Sequence, residues 1–282
     1  MTRETRGYSS LYDFRSINLN YGCPSITSGG AATFGASLMK DKELTAELLG
    51  AIKEEISAKP VTVSLKCRIG VVDTPTDLEE WYGKGAEWRH QFLYDYIESS
   101  VDKGVDEVVL HARPAVLSGL SPVKNRIVPQ LDYQAVQRID QAFEQVDVVL
   151  NGGIKSYDDM QAARDGLNGY KFSGYMCGRW PLKRPFDLAV GEDKEERELK
   201  AVEDYCAYIS HPRIANNYPT NELVAPFYLC GEQLISDLDE VEGRGGREHR
   251  LKLMTMIQRG LDGFTHEQPS REQSLSRAFR SS

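Results

Sequence analysis

Five segments of this sequence end in residues able to bind an anion or move a proton. Residues 17–24 read Ile-Asn-Leu-Asn-Tyr-Gly-Cys-Pro. Ile17 and Leu19 alternate with Asn18 and Asn20, the two-residue period of a short strand. Gly22 and Pro24 break it, so Cys23 stands at the C-terminal exit, where parallel α/β folds carry their active sites. A thiol there, with Asn20 just upstream, is a candidate proton donor or nucleophile. A second apolar-alternating run, 61–66, ends at Lys66 and Arg68, and a third, 107–111, ends at His111 and Arg113. A fourth, 147–151, runs into Asn151-Gly152-Gly153, and a fifth, 171–177, ends at Gly178-Arg179.

The chemistry open to these groups is coherent. Backbone N–H groups at Asn151-Gly152-Gly153 and Gly178-Arg179 suit a phosphate. Such a pair after successive strands is the usual phosphate grip of a parallel barrel. Lys66 would set a positive charge against an electron-rich ring or a reduced cofactor. His111 suits phosphate binding or proton transfer.

The elements that must position them alternate as strand and helix. Helices are expected at about 36–58, 91–103, 133–143 and 157–165, and residues 73–90 read as a polar, aromatic-rich surface loop. Five strands in βα order imply a parallel sheet. Beyond residue 194 the alternation stops. Stretches 195–209, 223–238 and 248–260 read as helices, with Gly243–Gly246 breaking the last two. The expected organisation is a catalytic α/β domain over 1–190, a small all-helical domain over 191–268 and a disordered tail over 269–282.

The five cysteines form no Cys-x-x-Cys pair, so neither a zinc site nor a disulfide framework is indicated, and a reducing compartment is expected, cytoplasmic or organellar. No apolar run reaches the roughly 20 residues of a membrane span. A net charge of −8 weighs against an overall basic nucleic-acid binder and leaves room for a local basic face.

The segments NLNYGCPS (18–25), FGASLM (34–39), LKCRIG (65–70), HARPAVLSGLSPVKNRIVPQLDY (111–133), NGGIK (151–155) and Gly178-Arg179 resemble the tRNA-dihydrouridine synthase family, closest to its DusA-type branch. The resemblance runs from Ile17 to about Arg179 in the family's order. It implies a partial (β/α)8 barrel of about five C-terminal βα units and FMN as cofactor. It further implies NADPH as reductant, tRNA as partner and reduction of a uridine C5–C6 double bond. Carried over, Cys23 would be the general acid. Lys66, His111, Asn151, Gly152, Gly153, Gly178 and Arg179 would hold the cofactor. Asn20, Arg68 and Arg113 would face substrate, and no metal is implied. The helical domain would help hold tRNA through Arg244, Arg247, His249, Arg250, Lys252 and Arg259. The family's opening strand with its Ala-Pro-Met-like turn is not found before Ile17, so three βα units are expected to be missing. Pro114 stands where the family often has Lys, and 26–33 departs from the usual pattern. Two other readings stay open at this point. One is an FMN oxidoreductase acting on a small molecule, and the other is a non-catalytic tRNA-binding relic.

Overall fold

The computed structural model describes residues 14–24, 34–57, 60–188, 193–210 and 244–264, together with 214, 226, 230 and 233. The chain divides into two compact units, 1–177 and 178–282, so the division falls about a dozen residues before the expected boundary at 190.

In the first unit, five strands form one parallel sheet: β1 (Ser16–Asn20), β2 (Thr62–Arg68), β4 (Glu107–His111), β6 (Asp147–Asn151) and β7 (Gly174–Met176). Within this sheet the spatial order of the strands follows their order along the chain, with no reversal. A doubly wound sheet reverses its strand order at a switch point, whereas a singly wound one does not. Two short strands, β3 (Val71–Val72) and β5 (Ala115–Val116), pair just beyond the ends of β2 and β4.

Alternation along the strands sets the faces. Val63, Leu65 and Cys67 on β2, Val108 and Leu110 on β4, and Val148 and Leu150 on β6 are all fully buried. They share the core with Leu49 of α1 (Lys42–Glu55), Leu93 and Ile97 of α3 (Ala86–Val101) and Ile139 of α4 (Tyr133–Ala142). Burial of each such side chain contributes about 1.5–3 kcal/mol. α1 packs on α3 and α3 on α4, so the helices follow the strands in step. α5 (Tyr157–Asp165) starts at Ser156, whose hydroxyl accepts from the Asp159 N–H.

Two expectations are corrected. The single helix over 36–58 is a 3₁₀ turn, Gly35–Lys40, followed by α1. Asp41 separates them because its carboxylate caps α1 at the Leu44 N–H. The expected surface loop over 73–90 is mostly helical: α2 (Pro75–Gly83), then the first turn of α3. Thr74 and Asp77 make a reciprocal capping box, and Pro75 occupies the first turn, where its missing N–H costs nothing.

The described part of the second unit is helical: α6 (Trp180–Lys183), a 3₁₀ turn at Pro185–Leu188, α7 (Lys194–Ser210) and α8 (Arg244–Phe264). Its core joins Phe186, Val202, Ile209, Leu253, Met254 and Ile257. α8 begins at Arg244 and so includes part of the Gly243–Gly246 stretch read as a break. The expected basic strip is also altered. His249 and Arg250 face the buried Glu198 of α7, at 2.8 and 3.0 Å, so they join two helices instead of forming a solvated face. Most of the helix expected over 223–238, and the tail after 268, lie outside the described residues.

Candidate active site

Strand register aligns the polar ends. Asn20 pairs with Lys66. Arg68 pairs with His111, His111 with Asn151 and Asn151 with Met176, one continuous row across four strands. Partners in a parallel ladder point to the same side, so this row and Lys66 share the face opposite the fully buried core positions.

Cys23 is exposed and lies in the turn Tyr21-Gly22-Cys23-Pro24 that follows β1. Among the described residues, four hydrogen bonds hold this turn. The Tyr21 N–H donates to the Lys66 carbonyl (2.7 Å), the Gly22 N–H to Asn20 Oδ1 (3.1 Å) and the Ala36 N–H to the Cys23 carbonyl (2.8 Å). Arg68 Nε donates to the Gly22 carbonyl (3.1 Å). Asn20 is exposed, with its side-chain oxygen engaged in the turn.

The Lys66 ammonium lies against this turn and has no hydrogen-bond or ion-pair partner among the described residues. Burial, reinforced by the neighbouring Arg68 cation, holds its ammonium below the ordinary lysine range. Cys67, on the opposite face, is fully buried, and burial pushes its thiol up to about 12. The two thiols therefore differ in kind: Cys23 is exposed beside the Lys66 and Arg68 cations, and Cys67 is inert packing.

Arg68 is engaged by the protein's own backbone. It is only 3% exposed, and its guanidinium donates to three backbone carbonyls: Gly22, Pro114 (3.3 Å) and Asn125 (3.0 Å). Such a side chain braces the loops around it. Arg113 donates to the Ile127 and Pro129 carbonyls of the same loop. Burial, and then the nearby Arg126 and Arg113 cations, bring Arg68 down to about 10.

His111 is buried, and its ring rests on Gly152 so closely that a Cβ there would lie 2.6 Å from His111 Cδ2. Gly152 and Gly153 take φ of +107° and +82°, conformations that a side chain strains. The Tyr133 hydroxyl donates to the Gly152 carbonyl (2.9 Å), and Asn151 Nδ2 donates to the Met176 carbonyl (2.7 Å), tying β6 to β7. The first unit thus brings together Asn20, Cys23, Lys66, Arg68, His111, Arg113, Asn151, Gly152 and Gly153 at one end of its sheet. Gly178 and Arg179 are exposed and open the second unit.

Sequence reasoning misses Asn125. It is fully buried and pins the loop after β5 by accepting from the Val116 N–H and donating to the Val116 carbonyl. An Asn in a Pro- and Ser-containing loop is the available signal. Trp81 of α2 packs on Gly70, and the Tyr82 hydroxyl accepts from the Gln130 N–H (2.8 Å), so the helical insertion buttresses that loop.

A sequence profile described as dihydrouridine synthase matches residues 9–222. The chain belongs to this family. It is 37% identical over 199 residues to a Shewanella oneidensis protein named tRNA-dihydrouridine(20/20a) synthase, covering 70% of this chain and 50% of that protein. A protein of the same name from Escherichia coli K12 is 37% identical over 190 residues, covering 66% of this chain and 46% of its own length. The chain spans about half the length of the curated relatives it matches. A solved dihydrodipicolinate synthase from Bacillus clausii aligns with 90% of the chain and 99% of its own at 10% identity and a TM-score of 0.31, a likeness too low to build on. Among the described residues no helix is long and apolar enough to cross a membrane, and no His/Cys/Asp/Glu cluster could hold a metal.

Proposed function

We propose that this chain carries the catalytic face of a flavin-dependent tRNA-dihydrouridine synthase, with its five βα units forming an arc of a (β/α)8 barrel. The observation that carries the reading is the exposed Cys23 beside a partly buried Lys66 ammonium that lacks a counter-charge among the described residues. An unmatched cation at a strand end suits an electron-rich ring, which is the fit expected for FMN. Lys66 would meet the ring of the cofactor. His111, Gly152 and Gly153 would serve its phosphate side, with Asn151 holding β6 against β7. Gly178 and Arg179 stay in this reading through the family resemblance alone.

Bound FMN, reduced by NADPH, would supply the hydride that uracil takes up at C6. Cys23 supplies the proton: its S–H bond breaks as a C–H bond forms at uracil C5. An ordinary thiol keeps its proton at neutral pH, which suits an acid role. The thiolate left behind would be stabilised by Lys66 and Arg68. Asn20 and Arg113 would orient the base, which has to leave its stack to reach the site. The names of the relatives point to uridines 20 and 20a of tRNA as the substrate positions, and the second unit would help hold the RNA.

The test is direct. The purified, desalted chain is examined for oxidised-flavin absorbance, then given NADPH and unmodified tRNA, and dihydrouridine is counted by mass spectrometry. Bound flavin and product, abolished by Cys23→Ala and absent with free uracil, are expected. Product formed by the Cys23→Ala chain would remove Cys23 as the acid. Flavin turnover on free uracil would favour a small-molecule oxidoreductase, and tRNA binding without flavin would favour a non-catalytic binder.

A further inference from the structure

We infer that Arg68 is a positioning residue for Cys23, a buried guanidinium whose three carbonyl bonds tie the Cys23 turn to the segments that follow β4 and β5. The inference deepens the reading of Cys23 as the acid and takes its catalytic meaning from it.

Of the four bonds that hold the turn, three are donated by backbone N–H groups. Among the described residues only Arg68 supplies a side-chain donor, and Arg68 also bonds beyond the turn, to Pro114 and Asn125. Asn125 is itself locked to Val116 through both polar atoms of its side-chain amide. A continuous set of hydrogen bonds therefore runs from the Gly22 carbonyl through Arg68 and Asn125 to β5. A planar fork with several fixed donors can serve three acceptors at once, whereas a lysine ammonium on a flexible stem cannot reproduce that geometry. The groups acting electrostatically with Arg68 are Arg126, Arg113, Lys66 and Cys23, and of these the thiol alone can become an anion.

The test reads Cys23 without requiring turnover. Full-length wild-type, Arg68→Lys and Arg68→Met chains are treated with iodoacetamide across pH, and alkylation at Cys23 is followed by peptide mass spectrometry, with circular dichroism confirming the fold. Arg68→Lys keeps the charge and loses the fork, and Arg68→Met loses both, so the limiting alkylation rate is expected to change several-fold in each. Folded variants that both label at the wild-type limiting rate overturn the inference. If neither variant folds, the wild-type chain decides: the Arg68 Nε proton is expected to exchange roughly tenfold more slowly than that of an exposed arginine, and fast exchange overturns the clamp. In the flavin-loaded enzyme, Arg68→Lys is expected to lower kcat with little change in KM for tRNA. The predicted labelling in a chain without synthase activity would keep the clamp and remove the enzyme reading.

Discussion

Gly153 shows how closely the site's backbone is fitted. Its φ is positive, and a Cβ there would meet the Tyr133 hydroxyl and the Leu131 side chain. Gly153→Ala is expected to destabilise the first unit by about 1–3 kcal/mol, measured by urea unfolding. Cys23, Lys66 and His111 are legible in the sequence as polar residues at strand ends, because alternation locates strand ends well. The direction of Arg68 is not legible. An arginine two residues beyond a lysine looks the same in sequence whether its fork meets solvent, substrate or three carbonyls, and only the loops brought together by the sheet decide which.

At the scale of elements, α2 departs most from what the sequence suggests. Pro75, Gly83 and Gly85 read as breakers, yet Pro75 sits in the first turn of α2 and Gly85 caps the start of α3. Their physical meaning depends on which side of a helix boundary they occupy. Thr74→Ala removes the capping hydroxyl and is expected to cost about 1 kcal/mol, read as a lowered urea midpoint. Because α2 seats Trp81 on Gly70 and Tyr82 on Gln130, the same change is expected to loosen the loop after β5, visible as faster amide exchange at Gln130.

Across the whole molecule, the parallel sheet and the change to helices after the fifth strand are legible from the alternation of periods. The division at 177 is not, since few composition cues mark it. In the second unit Asp187 accepts from Trp180, Arg184 and Gln233. Burial opposes its charge, and the Arg184 and Trp180 hydrogen bonds outweigh that, so its carboxyl lies below the ordinary 3.8. A depressed carboxyl contributes stability above its unfolded value and loses it as pH falls through the folded one. Thermal stability of the second unit is therefore expected to be level above about pH 5 and to fall below about pH 4, and Asp187→Asn is expected to flatten that fall.

The monotonic order of the strands has a consequence for how the sheet is made. Each strand of the sheet after β1 pairs with the sheet strand synthesised just before it. A nascent chain emerging from a ribosome can therefore add one strand at a time to a surface already in place, without waiting for a distant partner. The entropy of closing each addition is that of the helices and loops between two consecutive sheet strands, two helices in the case of β2 and β4, and it grows only slowly with their length.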